Sequence, residues 1–120
     1  MKIFWEVWSL LVRLSGAKLV LVMGHENCGA VKAAIDDVKL GKITAMLTKI
    51  RPAVETVEYE GEKSAKNLEY LHLVCESNIK NTIEEIRAKS LILKEMEENG
   101  EIKIIGAVYD MDDGSVDFLK

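Results

Sequence analysis

Apolar and polar positions recur along this chain with two periods, and each period points to a different element. The run Ala17-Lys18-Leu19-Val20-Leu21-Val22-Met23 is short and almost continuously apolar, the pattern of a strand covered on both faces. Ile102 to Tyr109 has the same character. Between them, Val31, Ala34, Ile35 and Val38 fall at i, i+3, i+4 and i+7, one face of a helix expected to cover the sheet. A longer stripe through Leu68, Leu71, Cys75, Ile79, Ile83 and Ile86 predicts an amphipathic helix from Ser64 to about Lys89. Ser90 is placed to cap a further short helix through Glu98, which Gly100 would end in the left-handed conformation.

Local breakers refine this outline. A helix over Ile43 to Val57 should kink or break at Pro52, which lacks a backbone donor and restricts Arg51. Asp113-Gly114 signals a hairpin turn, so Ser115 to Leu119 should close the chain as an antiparallel edge strand. The start is ambiguous: Trp5, Trp8 and Val12 suit a helix from about Glu6 to Leu14 stopped by Gly16, whereas Lys2 to Val7 is also rich in strand formers. The elements together predict one α/β domain over residues 1–120, a parallel sheet with flanking helices and a C-terminal antiparallel edge strand.

Composition narrows the possible partners. In 120 residues, 48% hydrophobic with a single proline, a net charge of -4 leaves no dominant basic surface, which argues against nucleic acid as a partner. No stretch approaches the roughly 20 apolar residues of a membrane span. Glu6 and Arg13 interrupt the apolar opening and no cleavage site follows, so a cytoplasmic protein with free or metal-bound thiols is expected.

The densest chemistry follows the first strand, in Gly24-His25-Glu26-Asn27-Cys28-Gly29-Ala30-Val31. Ligands of open α/β sheets bind beyond the carboxyl ends of strands, and His25 and Cys28 stand there. The start of the next helix favours negative charge and hence a Cys28 thiolate, while thiolate and neutral imidazole are donors zinc prefers. Gly24 and Gly29 would let the backbone approach whatever is held. His72-x-x-Cys75 repeats the spacing on the long helix. A Cys2His2 site from His25, Cys28, His72 and Cys75 is therefore conceivable, although Cys75 belongs to the apolar stripe and His72 suits its margin with one hydrogen bond. The aspartates at 36, 37, 110, 112 and 113 read as solvated scaffold, and Trp5 and Trp8 as core or interface.

The run GHENCGAVKAA from Gly24 to Ala34 closely resembles the zinc-binding segment of β-class carbonic anhydrases. The tail from Glu101 to Leu119 is similar to that family's C-terminal strand pair, and Ser77 to Gly100 to its helical segment. The resemblance implies a zinc enzyme interconverting carbon dioxide and bicarbonate, in which zinc lowers the pKa of a bound water to about 7. It makes His25 and Cys28 metal ligands, with Gly24, Gly29 and Ala30 as backbone lining the substrate pocket.

The family also carries an upstream Cys-x-Asp-x-Arg motif, on a strand beside the one matching Ala17 to Met23. That motif supplies a further zinc-binding cysteine and an Asp-Arg pair, and this chain has no counterpart. The chain thus resembles an N-terminally truncated member that lacks the N-terminal strands. Weak or absent zinc and impaired hydration follow as expectations, with a non-catalytic binding or assembly module, or a structural zinc domain, as alternatives. A homodimer or higher homo-oligomer is also expected. Leu19 to Met23 would form an edge strand without charge or proline to blunt it, and Phe4, Trp5, Trp8 and Leu11 add apolar area. The alternative is that Lys2 to Val7 folds back as a replacement strand.

Overall fold

The structure, a computed structural model, describes residues 2–119, with side chains described from residue 6 onward. Helix α1 (Lys2–Ser15) opens the chain, so Lys2 to Val7 is helical and no replacement strand forms there. Gly16 takes φ +73° and turns the chain into β1 (Leu19–His25). Helices α2 (Gly29–Ile35), α3 (Gly41–Leu47) and α4 (Arg51–Thr56) follow. Pro52 stands in the first turn of α4, where its missing donor costs nothing, and the expected break falls just ahead of it. The long α5 (Leu68–Lys89) starts where the Asn67 side chain accepts from the backbone N–H groups of Glu69 and Tyr70. Ser90 then ends α5 and caps α6 (Leu91–Glu98) by accepting from Leu93 N–H at 3.2 Å, and Gly100 adopts φ +75°.

Strand β2 (Lys103–Tyr109) lies parallel to β1, and β3 (Val116–Phe118) pairs antiparallel with β2, in the order β1-β2-β3. The register sets Leu19 against Lys103 and His25 against Tyr109. Side chains alternate across a strand, so Val20, Val22, Ile104 and Val108 share one face, which packs on Cys75, Ile79, Ile83 and Ile86 of α5. Gly106 and Gly24 are required on that face: a Cβ at Gly106 would come within 2.6 Å of Ile79 Cγ2, and one at Gly24 within 2.9 Å of Ile79 Cδ1.

The expectation that β1 is covered on both faces is overturned. Leu19, Leu21 and Met23 are 49%, 40% and 47% exposed on the opposite face, because no helix lies over it among the described residues. The stripe of α2 is likewise redirected. Val31 and Ala34 pack with Leu47, Val54, Tyr70, Leu71 and Val74, between helices rather than on the sheet. Val38, placed on that stripe by its spacing, lies beyond the end of α2 and is exposed.

Helix α5 therefore serves two cores, its first half facing α2 and α4 and its second half facing the sheet. Arg87 ties α5 to α6 by donating from Nε and Nη2 to the two carboxylate oxygens of Glu97, at 2.8 and 2.9 Å. Helix α1 is docked through buried Val12 and a hydrogen bond between the buried hydroxyls of Ser9 and Ser90.

Candidate metal centre

The segment between β1 and α2 is built by one left-handed residue. Glu26 N–H donates to Tyr109 O at 3.0 Å, extending the ladder one step past the strand, and Asn27 then adopts φ +59°. Asparagine tolerates that region better than most residues. The reversal brings Cys28 to the N-cap of α2, half-buried and without a side-chain capping bond. His25 remains exposed at the end of β1, where Met23, Gly24, Tyr109 and Met111 frame an open depression of about 330 Å³.

The His25 ring has a defined polarity. Its Nδ1 lies 3.0 Å from the carbonyl oxygen of Glu26, an acceptor only, so Nδ1 carries the proton and Nε2 offers its lone pair in the neutral ring. A histidine that grips a metal holds its second nitrogen in this way. The donor set is right in kind for zinc, one imidazole and one thiol. It is short in number, because a zinc site takes three or four protein ligands. No group of three or more His, Cys, Asp or Glu side chains is arranged to hold a metal ion among the described residues.

The second pair is committed elsewhere. His72 Nδ1 meets Glu26 Oε1 at 2.7 Å and Nε2 meets Glu76 Oε1 at 2.9 Å, two bonds where the sequence suggested one. Burial pulls the His72 imidazole down, but the hydrogen bonds and charges of Glu26 and Glu76 outweigh it and raise the pKa. Cys75 is buried, and its Sγ donates to His25 O at 3.6 Å. Burial first, then the negative charges of Glu26, Cys28 and Glu76, push its thiol up to about 11.

Gly24 faces α5: the space a side chain would need is filled by Ile79 and Cys75. A Cβ at Gly29 would meet nothing within 4 Å, so that side of the loop is open. Residue spacing alone did not reveal Glu26, Asn27 and Glu76. Asn27 was the readable one, as a turn former between a strand and a helix, whereas the Glu26–His72 bond spans 46 positions.

Comparison with known proteins places this geometry. The carbonic anhydrase family profile matches residues 10–116. Carbonic anhydrase 2 of Mycobacterium tuberculosis is 29% identical over 108 residues, covering 86% of this chain and 49% of its own length. A carbonic anhydrase of Emericella nidulans is 29% identical over 97 residues, covering 81% of this chain and 42% of that protein. Among solved structures, the β-carbonic anhydrase CafA of Aspergillus fumigatus superposes with a TM-score of 0.76 at 25% identity, over 96% of this chain and 54% of that one. The Coccomyxa β-carbonic anhydrase gives 0.76 at 25% identity, over 92% and 50%. The chain spans about half the length of these relatives, and it belongs to the β-carbonic anhydrase family.

Proposed function

We propose that this chain carries part of a zinc centre for the reversible hydration of carbon dioxide, with His25 and Cys28 as its protein ligands. The observation that supports the reading is the His25 ring, held by its own Nδ1–H on Glu26 O, which leaves Nε2 as the nitrogen with a lone pair to offer a metal. When bound, zinc supplies a Lewis acid that brings the pKa of water toward neutrality. The residues of this chain would hold and orient: Asn27 sets the turn between the two ligands, and His72 fixes the Glu26 side chain against α5. Gly29 leaves the start of α2 open for a small substrate such as carbon dioxide or bicarbonate, with the backbone of Ala30 following it in the first turn.

Two donors leave half of a tetrahedral shell to solvent or to another polypeptide, so zinc binding by the lone chain is weak and its hydration rate is close to that of buffer. The test is metal analysis together with stopped-flow hydration, on the chain and its His25→Ala and Cys28→Ala variants. Zinc bound by the parent and lost in both variants supports the assignment; equal tight zinc in the parent and Cys28→Ala would sink it. A rate well above buffer that His25→Ala abolishes would overturn the expectation of low activity. A second reading, a non-catalytic assembly module of the family, is favoured by the apolar surface along α1 and β1, which a protein working alone has reason to cover.

A further inference from the structure

Glu26 stands between the two proposed ligands and is held through its amide, its carbonyl and its carboxylate. The N–H donates to Tyr109 O at 3.0 Å, the carbonyl oxygen accepts from His25 Nδ1 at 3.0 Å, and carboxylate Oε1 lies 2.7 Å from His72 Nδ1. The carbonyl bond orients the His25 ring, which is exposed. A histidine that binds metal depends on such a partner for its ring plane. Whatever fixes the Glu26 peptide therefore fixes the direction in which His25 offers Nε2.

The chain just beyond that peptide has freedom to move. Asn27 holds φ +59°, a region asparagine tolerates without being locked in it. Cys28 makes no side-chain capping bond to α2, and a Cβ on Gly29 would meet nothing within 4 Å. Pairing with β2 holds one end of the turn. The second hold comes from α5, a 22-residue helix packed in both cores. From its first half His72 reaches Glu26, and Glu76, one turn further on, meets the other ring nitrogen at 2.9 Å. Carboxylates only accept, so both ring N–H groups donate, and the bond to Glu76 sets the ring plane that presents Nδ1 to Glu26. The three side chains are between 28% and 37% exposed, so water competes for these bonds less than it does at an open surface.

We propose that His72 is a positioning residue for the metal centre: held by Glu76, it anchors Glu26 so that the Glu26 carbonyl keeps the His25 ring, and the turn leading to Cys28, in the orientation that binds metal. This role rests on the reading of His25 and Cys28 as ligands, and it gives His72 itself no contact with the metal.

Two conservative replacements separate positioning from a merely structural part. The amide nitrogen of His72→Asn takes the place of Nδ1 and can still donate to Glu26, whereas that of His72→Gln takes the place of Nε2 and serves Glu76 alone. As helix formers the two rank the other way, glutamine above asparagine. Cobalt(II) titration of the metal-free chain, followed by the thiolate charge-transfer and visible d–d bands, should give His72→Asn the affinity and spectrum of the parent. His72→Gln, His72→Ala and Glu26→Ala should each bind about tenfold more weakly, while urea denaturation ranks His72→Gln above His72→Asn in stability. The double variant Glu26→Ala/His72→Ala should bind no more weakly than either single one, because both break the same link. Affinities that follow stability, parent-like binding by Glu26→Ala, or losses that add in the double variant would each overturn the role. Iodoacetamide labelling of Cys28 supplies a readout that needs no metal: it should quicken about threefold in His72→Gln, His72→Ala and Glu26→Ala as the turn loosens, and keep the parent's rate in His72→Asn. A parent that binds no cobalt would sink the ligand assignment, and the labelling order would then decide by itself whether His72 positions the turn. Equal rates in all variants would overturn it.

Discussion

The chain contains the spacing His-x-x-Cys twice, and the two copies have opposite fates. At His25 and Cys28 the spacing crosses from a strand end, through the left-handed Asn27, to a helix start. One ring nitrogen is anchored and the other is free to bind, and the thiol is half-buried. At His72 and Cys75 the same spacing lies within a continuous helix. Both ring nitrogens are taken by carboxylates, and the thiol is sunk into the face that meets the sheet. Chemistry here follows the backbone beneath the spacing: a loop lets donors protrude, whereas a helix dictates that one of two neighbouring positions faces the core.

The widest separation between the pairs should be in thiol reactivity. Iodoacetamide near neutral pH is expected to label Cys28 in the native chain at least about 100-fold faster than Cys75, because only a thiolate attacks and only an accessible one is reached. Quenched time courses read by peptide mass would show it. Comparable rates would mean that α5 opens readily from the sheet.

Metal affinity should separate the pairs next. Cys28→Ala is expected to lower zinc affinity by about tenfold or more, as losing one of few ligands does, while Cys75→Ala changes it less than about threefold. Competition with a chromogenic chelator measures both. A larger loss from Cys75→Ala would bring the second pair into the metal site.

Stability should order the pairs the other way. Cys75→Ala removes a buried sulfur from the contact with β1 and should cost about 1–2 kcal/mol, against less than about 0.5 kcal/mol for Cys28→Ala. Urea denaturation of the metal-free chain decides this, and equal costs would erase the distinction.

The smallest effect concerns protons. The pKa of His72 is raised above its ordinary 6.5 in the folded chain. Its contribution to stability is therefore fully present below about pH 6.5 and is lost as pH rises through the raised value. His72→Gln should flatten that part of the stability profile from about pH 6.5 upward, where the raised pKa of His72 makes stability fall with pH. Thermal melts across that range would reveal it, and an unchanged profile would assign the pH dependence to another group.

Much of the site was readable because its signals are local. Gly24 to Ala34 holds the two proposed metal donors, the turn former and the helix start within one short stretch, so chain order alone places them at the end of a strand. Ser90, Gly100 and Asp113-Gly114 were likewise readable, since caps and turns draw on residues a few positions apart. The clamp on Glu26 was not readable. It joins a loop to a helix half a chain away, and no periodicity encodes which carboxylate a helical histidine will meet.

The sequence by itself determined the α/β class, the order of elements, the stripe of α5 and the family, all of which rest on short-range patterns or on collinear residue identity. Only the tertiary structure decided that α2 packs on helices rather than on the sheet, that β1 is covered on one face, and that α1 leaves Val7, Leu10, Leu11 and Leu14 exposed. The physical reason is common to all three. An apolar run states that a surface is to be buried, but what buries it depends on which other surfaces the fold brings within reach. For the outer face of β1 and the exposed side of α1, no surface within the described residues fills that role.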